Sequence, residues 1–495
     1  MSSQDLLYRI FTSRHRWLSV LAILVLCAAS ALAVGYLLAE FGPLIAGAGL
    51  IGLFLGLWML RDIEVAYWVV IGVVCLFPFA SFPFNVGFTP TFLDGAMGAL
   101  FLLWVLQIAT GAQREFTGTS LGLPVGVFIL MALGSFVFGL AHAPPTSYVL
   151  RHFAEVLLSV ALFFLVVNTV RDAGRLQRVV RALILCTFAA AALGVALYMV
   201  AAYVSDDLVI RALSVLGRLG YPTGPGVLRY IREDPQLPMR ATSTSVDPNV
   251  LGSLLNLTLG IAVPQLFARR PLIRRCYLVP MVGVMALCLG LTISRGSLVG
   301  VGAALAIVAT LRYRKLWPLL LVALGLVFFL APGYVTHFMQ GVQFEDLATQ
   351  MRLGEYKDAF ILIGRYPWLG VGFAGSPDID TYIGVANVYL LIAEQMGLMG
   401  LTSFLVVMGA LFARFWRTRD LAACDPELEP LWWGLHAGLT GGLVGGIVDH
   451  YFFNLDFHHS ATLFWLVVGL ATATTEIIRR RAEKSPVHCE NSEQK

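Results

Sequence analysis

Apolar stretches of about twenty residues recur through this chain, beginning near Trp17, Pro43, Ala66, Phe92, Leu121, His152, Ala182, Asn249, Leu278, Ser297, Leu316, Asn387, Leu431 and Ser460. Each is long enough to cross the hydrocarbon core of a bilayer as a helix. In lipid a helix also satisfies its own backbone hydrogen bonds, which an open strand cannot do. With 58% hydrophobic and 13% charged residues, the chain falls far from soluble domains, where roughly a quarter of residues are charged. The expected fold is all-α: a polytopic integral membrane protein of about 14 transmembrane helices, within a range of about 12 to 14.

The apolar run from Trp17, behind Arg14 and Arg16, exceeds the roughly 7 to 15 apolar residues of a signal peptide, so it reads as a retained helix. The seven cysteines fall in expected spans or on the cytoplasmic side, so no disulfide is expected. A formal charge of +4 follows topology and implies no nucleic-acid partner.

An N-terminus in the cytoplasm puts most of the 34 Lys and Arg residues in cytoplasmic connections, as the positive-inside tendency requires. An even number of spans brings the C-terminus back to the same side. The expected organisation is residues 1–204 as about seven N-terminal helices, 205–248 as a first outer loop, and 249–332 as further helices. Residues 333–386 form a second outer loop, 387–480 the C-terminal helices and 481–495 a cytoplasmic tail. Within the second loop, residues 344–366 read as an amphipathic helix lying along the membrane surface. Leu353, Tyr356, Ala359, Phe360 and Ile363 form its stripe, and Pro367 ends it.

The basic residues that break the rule are Arg151, Arg211, Arg218, Arg229, Arg232, Arg240, Arg295, Arg352, Lys357 and Arg365. Arginines gathered on the outer side suggest an anionic ligand there. Arg295, in Ser294-Arg295-Gly296, stands between two spans with almost no loop to hold it, and is expensive unless it faces a cavity and a partner. Its plainer reading is an arginine reaching to lipid phosphates. Arg240 precedes Asp247-Pro248-Asn249, where Asn249 suits a helix cap. Asn387 and Glu394 share a helix face about two turns apart, Glu394 roughly 10 Å deeper. A carboxylate at that depth marks either a functional site or a packing contact between helices.

The order of these elements resembles the O-antigen ligase and polymerase family of bacterial envelopes. The order is an outer Arg before Asp-Pro-Asn, Ser-Arg-Gly, an Arg-bearing amphipathic segment closed by Pro367-Trp368-Leu369-Gly370-Val371-Gly372, then Asn387-Val388-Tyr389-Leu390 with Glu394-Gln395-Met396-Gly397. The resemblance implies a metal-independent glycosyltransferase without cofactor in the bacterial inner membrane. It would pass an undecaprenyl-diphosphate-linked glycan to a glycan or lipid acceptor at the outer face, with both termini cytoplasmic. Arg240, Arg295 and Arg352 then match the positions that would hold the diphosphate, with Arg151 as a fourth. Asn249, Asn387, Glu394 and Asp449 complete the expected substrate site.

Ligases of this family carry a histidine where this chain has Ala386, which turns the reading toward a polymerase or a divergent transferase. Asp380 and His450 are the candidate replacement bases. No metal ligand set is expected at His450, His458 and His459, which sit in an aromatic belt without cysteine. The rival class is a carrier of a small anion such as bicarbonate, which would place its charges at broken helices near the bilayer midplane.

Overall fold

The computed structural model describes residues 16–59, 61–85, 87–113, 116–330, 339, 343, 347–378 and 380–484. It is mostly helical, 74% helix and 1% strand, and divides into two compact units, Met1–Val65 and Ala66–Lys495. The first holds α1 (Arg16–Met59), bent at Gly42 where φ is 79°, so the apolar runs beginning at Trp17 and Pro43 meet without a loop. Helix α2 (Ile63–Leu76) leads into the second unit.

There follow α3 (Phe92–Ala109), α4 (Gly122–Gly139), α5 (Ser147–Thr169), α6 (Ala173–Tyr203) and the short α7 (Asp206–Ser214). Next come α8 (Pro248–Gln265), α9 (Arg275–Thr292), α10 (Arg295–Leu311), α11 (Leu316–Leu330), α12 (Leu347–Arg365), α13 (Val388–Ala423), α14 (Glu429–Gly445) and α15 (His458–Lys484). Among the described residues seven helices are long and apolar enough to cross a membrane: α3, α4, α5, α6, α9, α13 and α15 with its preceding turn. Shorter apolar helices include α2, α10 and part of α11. Helices α8 and α14 are nearly wholly buried and carry Asn256, Thr258, Gln265 and His436. A helix surrounded by protein need not be as apolar as one that faces lipid.

The core that positions the site is the packing of α8, α10 and α14. A methyl group on Gly260 would lie 2.6 Å from the Cα of Gly438, so the backbones of α8 and α14 touch, as small residues allow. Buried Asn256 donates its Nδ2 to the Gly441 carbonyl at 2.8 Å, a polar link between the same helices. These contacts bring the start of α8, the start of α10 and the end of α14 to one end of the bundle. At the opposite end Arg312 pairs with Glu429 at 2.9 Å, Arg481 with Asp425 at 2.9 Å, and Arg414 with Glu476. Those arginines are among the ones assigned above to the cytoplasm.

Only short strands interrupt the helices among the described residues: β1 (Arg229–Tyr230) and β2 (Met239–Arg240), antiparallel with Arg229 opposite Arg240. Helix α12 falls within the expected amphipathic segment; residues 344–346 lie outside the described ones. Its expected stripe is split. Ala359 is buried, and Leu362 with it, whereas Leu353 and Phe360 are exposed. The helix meets the protein through Ala359 and Leu362 and through Arg352, Glu355 and Tyr356, which find partners in the following loop and near α14.

Candidate functional site at the arginine cluster

Three separate segments deliver the arginines. Arg240 ends β2, and the Ala241 N–H donates to the Leu291 carbonyl at 2.9 Å, pinning this loop to the turn between α9 and α10. The Arg240 guanidinium donates through Nε to the Thr292 carbonyl at 2.8 Å and through a terminal nitrogen to Asn249 Oδ1 at 2.7 Å. Arg295 is the first residue of α10, reached through Ile293 in a left-handed conformation (φ 54°), and Val246 before α8 is left-handed too (φ 60°). Such conformations cost a β-branched residue about 1 to 3 kcal/mol and concentrate at functional sites. Arg352 projects from α12.

Arg352 contacts Asp449, in the loop between α14 and α15, and the charges of Arg240 and Arg295 act on the same carboxylate. Arg352 meets its Oδ1 at 3.3 Å, and the Asp449 side chain is only 13% exposed. Burial pushes the Asp449 carboxyl up to about 7; the charges of Arg352, Arg240 and Arg295 work against that rise and the Asp247 charge adds to it. Gly296 of the Ser-Arg-Gly motif makes room for the carboxylate: a Cβ there would lie 2.4 Å from Asp449 Oδ2 and 2.8 Å from Val448 Cγ2. The glycine of the motif thus answers to a carboxylate about 150 residues away in sequence, well beyond the reach of local spacing.

The Asp449 loop is tied down on its other side. Asn387 caps α13, its Oδ1 accepting from the Tyr389 and Leu390 N–H groups at 2.9 and 3.0 Å, and its Nδ2 donates to the Ile447 carbonyl at 2.7 Å. The Tyr356 hydroxyl lies 3.3 Å from both the Ile447 and Ala386 carbonyls. Glu355 accepts from the Ala386 N–H at 3.0 Å. His450 Nδ1 lies 3.0 Å from the Val385 carbonyl, and burial lowers the basicity of its imidazole. His450 therefore stands beside the peptide that joins Val385 to Ala386. If Nδ1 carries the proton for that contact, Nε2 is the unprotonated, basic nitrogen.

The other expected residues separate. Asn249 does not cap α8; Asp247 does, accepting at Oδ1 from the Asn249 and Val250 N–H groups, and this leaves the Asn249 side chain for Arg240. Pro248 opens the helix at N1, which makes the residue before it the cap; the sequence carried that signal. Glu394 is fully buried in α13, and its carbonyl accepts from the Val371 N–H at 3.0 Å. Asp380 is exposed in a turn. Arg151 is committed elsewhere, to Glu155, Asp94 and the Thr89 carbonyl at 2.7 to 2.9 Å, so the structure does not bring it into the cluster. Sequence reasoning passed over Glu355 and named Asp247 and Tyr356 only within a motif and a helix stripe, although all three order the loops between the arginines.

Residues 280–405 match the O-antigen ligase family. The matched segment takes in Arg295, Arg352, Asn387 and Glu394 and ends before Asp449 and His450. No curated protein matches the chain. The likeness carried by the motifs is borne out by this match, and nothing in the comparisons supports an anion carrier.

Proposed function

Proceeding from a membrane protein of the O-antigen ligase and polymerase type, we propose that the arginine cluster transfers a glycan from a lipid diphosphate to an acceptor hydroxyl. The reaction takes place at the outer face of the bacterial inner membrane, with both termini in the cytoplasm. The single observation that carries this reading is the Arg352–Asp449 contact beside the Ser-Arg-Gly glycine, where the charges of Arg240 and Arg295 act on the same partly buried carboxylate.

The chemistry follows from charge. As the bond between the anomeric carbon and the diphosphate oxygen breaks, negative charge builds on the leaving group. Guanidinium forks already fixed in a partly dehydrated site stabilise that charge without reorganising. Arg240 is held by Thr292 and Asn249, so its orientation is set before the donor arrives. Asp449 supplies the counter-charge that keeps the arginines together in the free protein, and Arg352 exchanges it for the diphosphate. The acceptor hydroxyl loses its proton to His450, which takes the place of the family histidine absent at Ala386. Because the arginines supply the positive charge, transfer requires neither metal nor cofactor.

The test is reconstitution. Purified protein with an undecaprenyl-diphosphate glycan should release undecaprenyl diphosphate and extend or ligate the glycan, and should leave the corresponding lipid monophosphate glycan unused. Equal use of the two donors would remove the role given to the arginines.

A further inference from the structure

A second cluster of chemistry-bearing side chains stands on α5 and α15, apart from the arginine site. His152 and Glu155 are three residues apart on α5 and so share a face, and His458 opens α15. Glu155 Oε2 lies 2.9 Å from His152 Nδ1 and 3.1 Å from His458 Nδ1, with side-chain exposures of 7%, 11% and 6%. The contacts have the length of hydrogen bonds but not their alignment. One donor atom from each residue lies within 4.8 Å of the other two. Ligands around a tetrahedral ion at about 2.0 to 2.2 Å stand roughly 3.3 Å from one another, so small side-chain adjustments close this set around a common centre.

The surroundings suit a cation. Glu155 Oε1 accepts from Arg151 Nε at 2.7 Å, and Arg151 pairs in turn with Asp94 Oδ2 at 2.9 Å. The charges of Arg151 and Asp94 cancel, which leaves one carboxylate between two imidazoles. Arg151 also fixes the orientation of Glu155, as outer hydrogen-bond partners do for metal-bound carboxylates. One turn along α5, Ser159 meets Thr462 of α15 at 2.8 Å, so the two helices that present the ligands are already held in register.

We propose that His152, Glu155 and His458 bind a divalent transition-metal ion, zinc by the chemistry of the donor set. The ion takes no part in glycan transfer. It clamps α15 to α5 at the C-terminal end of the loop that carries Asp449 and His450, while Asn387 and Tyr356 hold the other end. Local spacing could not reveal the set, because two ligands and the third lie about 300 residues apart. His459, next in sequence, is not a ligand; its ring packs edge-on against Phe79 at 4.8 Å.

The experiment reads metal, not transfer, so it stands or falls separately from the proposed reaction. Full-length protein purified without a metal-affinity step is assayed for bound zinc by mass spectrometry. After stripping, it is titrated with Co²⁺ to follow the visible bands of a four-coordinate site. The wild type and His459→Gln should each take up one equivalent. His152→Gln and His458→Gln, checked for monodispersity, should lose affinity by roughly 100-fold or more, since outer-shell changes alone reach about that figure. Absence of both zinc and a Co²⁺ spectrum in the wild type would overturn the proposal even if neither variant folds. So would folded variants that bind like the wild type.

Discussion

Gly296→Ala separates stability from function at the centre of the site. Alanine near the start of α10 would ordinarily stabilise the helix by up to about 1 kcal/mol. Here the new Cβ would lie 2.4 Å from Asp449 Oδ2 and 2.8 Å from Val448 Cγ2, against an ordinary contact of 3.4 Å. The Asp449 loop must therefore retreat by about 1 Å, which carries its carboxylate away from Arg352 and shifts His450 with it. A displacement of that size in a reacting constellation costs roughly 100-fold in rate. The assay is transfer from a lipid-diphosphate glycan by purified protein, alongside a thermal melt in detergent. Gly302→Ala, on the same helix with nothing within 4 Å of the added methyl, is the control and should keep full activity. Gly296→Ala with wild-type transfer would refute the idea that the Ser-Arg-Gly glycine exists to seat Asp449.

Four further outcomes are expected. His450→Ala should lower transfer by roughly 100- to 1,000-fold, whereas Asp380→Asn should change it little; measured rates in the reverse order would move the base to the exposed loop. Because the Asp449 carboxyl is raised to about 7 from an ordinary 3.8, it is ionised and competes for Arg352 above that pH, and is neutral below it. Donor affinity should therefore tighten by up to about tenfold per unit as pH falls toward about 7. The fold should lose stability as pH rises from about 4 to about 7, since the native state holds a proton that the unfolded carboxyl releases. Asp449→Asn should flatten the affinity profile; an unchanged profile in that variant assigns it to another group. Cysteines placed at Gly226 and Ser376 should react with an impermeant thiol reagent from outside and one at Ala422 should not; the opposite pattern inverts the topology.

The helices were legible because each apolar run had to satisfy its backbone within lipid, and even the tight joint at Gly42 and the stop at Pro367 carried their own signals. The arginines were legible because, with the N-terminus taken as cytoplasmic, they break the charge rule. What the sequence concealed was pairing. Asp449 was expected in the substrate site with no partner named, and the fold gives it Arg352 and gives His450 the Val385 carbonyl. Arg151 broke the charge rule as clearly as Arg295, but Asp94 and Glu155 claim it. The rule finds misplaced charge and cannot tell which charge the fold itself neutralises. On helix α12, Arg352, Glu355 and Tyr356 hold the loops of the site, through partners 30 or more residues away that local spacing does not reveal.

Single-turnover transfer by purified Arg295→Ala, Arg352→Ala and Arg240→Ala tests most directly whether the three clustered arginines stabilise the departing diphosphate. Loss of one charge-assisted contact in such a site costs on the order of 3 kcal/mol, roughly a hundredfold in the chemical step. Each variant should fall by about that factor with expression intact, Arg295→Lys should recover only part because the fork is lost, and Arg314→Ala should match the wild type. Wild-type single-turnover rates from well-folded Arg295→Ala and Arg352→Ala would contradict the account.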